Sequence, residues 1–335
     1  MRSAPLHGRM TTRRRLRTLI RASRASSSED EETKMEMMMR NKNGGFVRIT
    51  SLSNGMVKRV VKLRTGSASA RGEEGVAVLT SELALRDAHR AAAAGNGRIG
   101  IALLFVNEES GLLDDDDDDD DDMRALMEDA RQLVMVSPNV LKKLTGLESV
   151  NSKSLCAVVE MPQRVSSSSS SSSSSLGDCW KGQVDKVLVL DAVQDPGNLG
   201  TLLRAAAAFG WCHVVLLQGC CDPFNDKAIR AGRGAQWALA PLGVGVHWED
   251  LQKVIQQHRL RLVAADARGE DIQDFVSTQS CASGRWCLVL GSEGQGLSST
   301  TRAQPGLSLV SIDMESSVES LNVACAGSIL MHAMR

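Results

Sequence analysis

At 335 residues, 42% hydrophobic and 24% charged, the chain has room for two ordinary domains plus tails and the composition of a globular protein. It has no apolar run long enough to span a membrane, and with five Phe, five Trp and no Tyr it is poorly supplied for a nucleic-acid site built on stacked aromatic platforms. The net charge of -1 hides two opposed blocks, eight Arg without an acid in residues 1–28 and nine consecutive Asp at 114–122, so the remainder is near neutral and any basic binding face must be arranged locally.

Residues 1–28 are Arg- and Ser-rich with no acid until Glu29. That is the composition of an organelle transit peptide, mitochondrial or chloroplast, rather than of a secretory signal; a basic RNA-binding arm is the other reading. Residues 29–45 continue as a disordered lead-in. From 46 to 163 the pattern predicts a small α/β domain: a helix over Ser81–Ala94, a strand over Ile99–Val106, a short helix over Met123–Arg131, and a strand over Leu133–Val136. Ser137-Pro138 then opens a helix, and Leu155–Glu160 is a further strand. The Asp run 114–122 reads as a solvated loop insertion in this domain, because adjacent carboxylates repel and cannot pack. Ten serines at 166–175 form the middle of a linker, 164–183, that buries nothing and sets the domain boundary.

Residues 184–335 alternate regularly. Strands are expected at Lys186–Leu190, His213–Leu217, Leu260–Ala265, Trp286–Leu290 and Leu307–Ile312. Helices are expected at Leu199–Phe209, Asp226–Gly232, Trp248–His258 and Ser320–Met334. Short apolar strands between helices predict a buried, mainly parallel sheet, an α/β fold. The eight cysteines (156, 179, 212, 220, 221, 281, 287 and 325) form no Cys-x-x-Cys pair and have no His at ligand spacing. They read as free thiols, several of them buried, and no metal site or disulfide is expected.

Three stretches carry chemistry. In the first, the strand ending at Leu190 runs into Asp195-Pro-Gly-Asn198, with Asn198 where a helix cap belongs and Arg204 further along an otherwise apolar helix. Such a strand-to-helix turn puts polar groups at the carboxyl edge of a sheet, where α/β proteins bind ligands. Arg204 is expected to be paired inside the fold or to point into a cleft. In the second, Leu290-Gly291-Ser-Glu293-Gly-Gln-Gly296 follows a strand, and its glycines allow a ligand to approach the backbone closely. Taken alone it reads more readily as a structural turn with a solvated Glu293. In the third, Ile312-Asp-Met314 leads to Ser320-Leu321-Asn322, which open the last helix.

In this order and spacing the three stretches resemble the SpoU (TrmH) branch of the SPOUT RNA methyltransferases, whose motifs read approximately D-P-x-N-x-G-x-x-x-R, G-x-E-x-x-G-[LI] and I-P-M-x-G-x-x-x-S-L-N-V. The resemblance covers about residues 184–335. The region 47–163 resembles the family's small substrate-binding domain, beginning at Ile49-Thr-Ser-Leu-Ser-Asn-Gly-Met-Val-Lys58 and including Arg71. Departures are Ser292 for Asn, Asp313 for the customary Pro, a 315–319 loop without the usual Gly, and Leu79-Thr-Ser-Glu-Leu for Phe-x-x-Glu-Gly. They bear on substrate geometry more than on fold.

The resemblance implies a C-terminal trefoil knot, an exception among chain topologies, a homodimer, and 2'-O-methylation of an RNA ribose with S-adenosyl-L-methionine as donor. It implies a cofactor site at Leu290, Gly291, Gly296, Ile312, Met314 and Leu321, and a catalytic set of Arg204, Asn198, Glu293, Ser320 and Asn322. A guanidinium stays protonated and is no literal base, so Arg204 is expected to grip the target phosphate and polarise the 2'-hydroxyl while the others orient it. Large-subunit rRNA of an organelle is the expected substrate, with tRNA second. A non-catalytic RNA-binding or ribosome-assembly protein would share the fold but need not keep those polar residues. A nicotinamide-dependent oxidoreductase is disfavoured by the glycine order, G-x-x-G-x-G rather than G-x-G-x-x-G.

Overall fold

The computed structural model describes residues 47–335 apart from 95–98, 110–120, 167–175, 181, 240, 279–283 and 316. The expected transit peptide, the lead-in, Asp114–Asp120, most of the serine run and Cys281 lie outside the described residues. In chain order the first elements are β1 (Val47–Ile49), α1 (Gly55–Thr65), α2 (Ala68–Glu74), β2 (Val76–Leu79), α3 (Glu82–Ala94), β3 (Ile101–Asn107), α4 (Asp121–Asp129), β4 (Leu133–Val136), α5 (Pro138–Thr145) and β5 (Leu155–Glu160). Next come β6 (Arg164–Val165), α6 (Leu176–Cys179), β7 (Lys186–Leu190), α7 (Pro196–Phe209), β8 (His213–Leu217), α8 (Asp226–Gly232), β9 (Leu242–Val246) and α9 (Trp248–His258). The chain finishes with β10 (Arg261–Asp271), α10 (Ile272–Thr278), β11 (Trp286–Leu290), α11 (Ser299–Arg302), β12 (Ser308–Ser311) and α12 (Val323–Ala333).

These elements form two compact units, the first comprising the chain to Leu63 with Gly100–Val159 and the second Arg64–Ile99 with Glu160–Arg335. In the first unit the strands lie in the order β1-β4-β3-β5, parallel except for β3 against β5. Asp121 and Asp122, the last two residues of the Asp run, belong to the first turn of α4 rather than to a loop. Carboxylates there face the positive end of the helix dipole, which rewards helix over coil.

The second unit carries a seven-stranded sheet in the order β12-β10-β11-β7-β8-β9-β6, with every recorded pairing parallel. A parallel sheet is covered on both faces, and β11 accordingly buries all five of its residues. One core cluster runs from Val187, Val189, Cys287 and Val289 to Leu251, Val254 and Trp248 of α9. At β10 and β12 the backbones come very close: a Cβ on Gly269 would lie 2.5 Å from the carbonyl carbon of Leu309 and the nitrogen of Val310.

Residues 64–99, read from sequence as part of the N-terminal domain, pack within the second unit. Arg71 is 3% exposed and donates from Nε and Nη2 to Asp222 Oδ2 at 3.0 and 2.5 Å. Arg64 pairs with Asp226 at 3.4 Å, and the Thr80 hydroxyl donates to the same carboxylate at 3.2 Å. Gly234 has φ +75, and a Cβ on it would sit 2.6 Å from the Ala84 carbonyl oxygen. These contacts join positions more than 140 apart in sequence, which local pattern cannot register.

The expected 164–183 linker is likewise packed at both ends. Val165 lies in β6, which pairs with β9, and Val165, Leu176 and Trp180 all belong to the second unit's core. The last helix starts at Val323 with Asn322 as its cap, so Ser320 precedes the helix rather than opening it. The seven described cysteines are free; Cys156 and Cys287 are buried, whereas Cys212 and Cys325 are exposed.

Candidate active site

The three stretches leave the carboxyl ends of β7, β11 and β12. The first turn of α7 is capped by Asp195, not by Asn198: the Asp195 carboxylate accepts the Asn198 backbone N–H at 2.9 Å, and Pro196 follows at the first helical position. A proline there costs no hydrogen bond and presets the helical φ. Lys227 Nζ donates to the other Asp195 oxygen at 2.7 Å. This bond, with the Asn198 backbone N–H, holds the Asp195 carboxyl below its ordinary value against the opposing effect of desolvation. With the cap supplied by Asp195, the Asn198 side chain is free for other work.

That side chain meets two others. Asn198 Nδ2 donates to Glu293 Oε1, and Asn322 Nδ2 donates both to Glu293 Oε1 at 3.0 Å and to Asn198 Oδ1 at 3.1 Å. Asn322 Oδ1 accepts the Ala324 and Cys325 N–H groups at 2.8 and 3.4 Å, capping α12. Glu293 is therefore not a merely solvated turn residue; it joins three chain segments. Glu293 Oε2 has no partner among the described residues.

The glycine loop is shaped by its own backbone. Ser292 N–H donates to Gly296 O at 3.0 Å and Gly296 N–H returns to Ser292 O at 2.9 Å. A Cβ on Gly291 would fall 2.4 Å from the Gly296 carbonyl carbon, and Gly296 has φ +66, so neither position accepts a larger residue without moving the loop. Sequence reasoning missed the residue that holds this loop, Asp191. It is 4% exposed, and its Oδ2 accepts the Ser298 N–H at 2.8 Å and the Thr301 hydroxyl at 2.6 Å, tying the end of β7 to α11.

Arg204 lies on α7 beyond Asn198, exposed and, among the described residues, without a hydrogen bond or ion pair. Of the two settings expected for Arg204, pairing inside the fold or pointing into a cleft, the first is not seen, because its turn of the helix faces outward while Leu202, Leu203 and Ala206 face the core. Ser320 is also exposed and makes no recorded contact with the cluster. The structure thus brings together Asn198, Glu293 and Asn322, and leaves Arg204 and Ser320 open to solvent.

A cavity of about 630 Å³ lies beside the third stretch, lined by Ala267, Asp271, Gln273, Asp274, Ser311, Ile312, Asp313, Met314, Glu315 and Val318. Of the expected cofactor residues, Ile312 and Met314 line it, whereas Leu290, Gly291, Gly296 and Leu321 do not. Its other wall, drawn from Ala267 to Asp274, spans the end of β10 and the first turn of α10 and belongs to none of the three motifs. Thiol chemistry is not on offer nearby: burial pushes Cys220 up to about 12 and Cys221 up to about 11, which keeps both protonated at neutral pH.

Residues 185–332 match the family model of the SpoU rRNA Methylase family. The 23S rRNA (guanosine(2553)-2'-O)-methyltransferase RlmP of Bacillus subtilis is 30% identical over 213 residues, 62% of this chain and 75% of that protein. The mitochondrial rRNA methyltransferase 3 of Mus musculus is 34% identical over 135 residues, 38% of this chain but only 32% of that protein. Among solved structures, the AdoMet-bound rRNA methyltransferase of Sinorhizobium meliloti superposes with a TM-score of 0.66 at 22% identity, covering 86% of this chain and 97% of that one.

Proposed function

Because the chain belongs to the SpoU family of RNA 2'-O-ribose methyltransferases, we propose that it methylates a ribose of organellar large-subunit rRNA, with tRNA the second candidate. The observation that carries the site assignment is the convergence of Asn198, Glu293 and Asn322, from three separate chain segments, at one Glu293 carboxylate oxygen.

The cavity suits S-adenosyl-L-methionine. Its volume of about 630 Å³ falls in the range of roughly 300–1,000 Å³ typical of small-molecule sites. Its ionisable lining is four carboxylates and no cation, complementary to a sulfonium and an ammonium group, with Ile312 and Met314 supplying apolar surface. When bound, the donor provides an electrophilic methyl group, so a metal is unnecessary. Ile312 and Met314 would hold it.

The exposed Arg204 guanidinium grips the phosphate next to the target ribose and polarises its 2'-hydroxyl; its planar fork suits a phosphate better than a point charge does. Asn198 and Asn322 fix Glu293 through Oε1, and we assign proton acceptance to the free Oε2. Ser320, exposed just ahead of Asn322, is assigned to orienting the ribose. Holding hydroxyl and methyl in line is the main contribution, on the order of 7 kcal/mol in favourable cases.

The close crossing at Gly269 and the pairing of β10 with β12 on both sides of Ala265–Glu270 support the knotted arrangement. Val318, Leu321 and Ile329, exposed at 46%, 37% and 42%, support a homodimer formed over this C-terminal segment. The organellar assignment rests on the composition of residues 1–28 and on the resemblance to a mitochondrial relative. The test is methylation by the full chain of protein-free organellar large-subunit rRNA and of bulk tRNA, together with the location of a fluorescent fusion. A better rate on tRNA, or a fusion that stays in the cytosol, refutes the corresponding part.

A further inference from the structure

Position 313 is Asp, where proline is customary in the third motif. A proline at that position would stiffen the loop through its fixed φ but would have no N–H to donate. In this chain the N–H exists and is used. Asp313 N–H donates to Asp271 Oδ2 at 3.2 Å, while Asp271 Oδ1 accepts the Gln273 N–H at 2.8 Å. One carboxylate therefore spends each oxygen on a different segment, one at the start of α10 and one on the loop after β12. The neighbouring residues reinforce the join: Asp271 pairs with Ser311 in the sheet, and the Ser311 hydroxyl donates to Gly269 O at 3.0 Å. Asp271, Gln273, Ser311 and Asp313 all line the cavity, between Ala267 on one side and Met314 on the other.

We propose that Asp271 is a positioning residue for methyl-donor binding: through the Asp313 amide it holds the Ile312–Met314 loop in its binding shape, the task that proline performs elsewhere by covalent restraint. This rests on reading the cavity as the S-adenosyl-L-methionine site. The carboxylate does not touch the reacting atoms. It acts by lowering the freedom that the loop would otherwise lose on binding, so its effect falls on affinity.

The substitution that separates its two duties is D271N. The remaining carbonyl oxygen can keep the cap on Gln273 while the new amide group faces the Asp313 N–H and cannot accept from it. A hydrogen bond to a charged acceptor is worth enough to change affinity by about tenfold. Calorimetric titration with S-adenosyl-L-methionine should give a dissociation constant about five- to tenfold weaker for D271N than for wild type. In a D313P background, which restores the proline and removes the donor, the same change should cost less than about twofold, because the two positions then no longer interact. Hydrogen exchange on the unliganded protein gives a second readout. D271N should speed exchange of the Asp313 amide and leave the Gln273 amide protected, which also reports that the fold is intact. Equal losses of affinity in both backgrounds, or an Asp313 amide that exchanges no faster in D271N, overturn the proposal. Failure of the wild-type protein to bind S-adenosyl-L-methionine overturns the cofactor reading instead, and the exchange experiment then decides the clasp by itself.

Discussion

Gly200 sits one turn into α7, facing α8. A Cβ built there would lie 2.3 Å from the Ala228 carbonyl oxygen, 2.8 Å from the Ala231 Cβ and 2.8 Å from the Gly232 nitrogen. Unstrained contacts of this kind need about 3.5 Å, and two of the three obstructing atoms are backbone, which cannot rotate aside. G200A therefore forces the helices apart by about 1 Å. Overpacking of this kind costs up to about 3 kcal/mol, and replacing glycine by alanine inside a helix returns about 1 kcal/mol. The net expectation is a loss of about 2 kcal/mol. All five tryptophans lie in the second unit, so their fluorescence during urea unfolding reports on that unit alone. The control is G294A, whose Cβ would meet nothing within 4 Å and which should leave the midpoint unchanged. Because α7 also carries Asn198, G200A should slow methyl transfer. A G200A protein as stable as wild type would show that α7 and α8 are not in contact at this position, and the account of how Asn198 is positioned would fall with it.

Replacing Arg204 with Ala should abolish methyl transfer while changing donor affinity by less than about twofold, and Lys should not rescue it; retention of more than about a tenth of the wild-type rate contradicts the assigned role. Asn322→Ala removes both the α12 cap and two bonds to the cluster, so it should cost about 1 kcal/mol in thermal stability as well as activity, whereas Asn322→Asp should keep the cap and still lose activity by setting a second carboxylate against Glu293. Asp266 is held well below the ordinary carboxylate range, first by the Arg268 side chain and then by the Arg268 backbone N–H and Arg302. Its folded-state value is depressed, so its contribution is complete above about pH 5 and is lost as the pH falls below about 4. The stability gap between wild type and D266N should therefore narrow only on the acid side, and a gap independent of pH from 6 to about 3 contradicts the ion-pair geometry.

The parts of the fold that were legible are those whose signal is local. Strands β7, β8 and β11 are unbroken apolar runs bounded by polar turns, and the observed limits of each coincide with the expected ones. Strand β9 escaped because Gly243 and Gly245 break the apolar pattern of Leu242–Val246; a Cβ on Gly243 would press on Val246, Val215 and Leu176, so the glycine answers to packing rather than to a turn. Asn198 was read as the α7 cap because both Asp195 and Asn198 are good capping residues, and only the geometry of Pro196 decides between them. The cluster itself followed from motif order. The cavity's second wall did not, because the Asp271 carboxylate acts on the backbone N–H groups of Gln273 and Asp313, donors that every residue but proline carries and that leave no mark on residue type. The grouping of 64–99 with the second unit was invisible for the same kind of reason: it depends on Arg71 finding Asp222 across 151 positions.

The packing of Val165 and Leu176 into one core changes what the serine run between them can do. The described residues on either side of it, Val165 and Leu176, belong to one core, so its length separates two points of the same unit. The free energy of closing a loop between two such points rises by only about 0.6 kcal/mol for each doubling of its length. Gaining or losing a few serines there should therefore change stability only slightly. Natural variants of this chain should differ in serine number far more freely than at Asp178 or Trp180 immediately beyond, and the count of ten carries no more information about the enzyme than the slack in a mooring line carries about the ship.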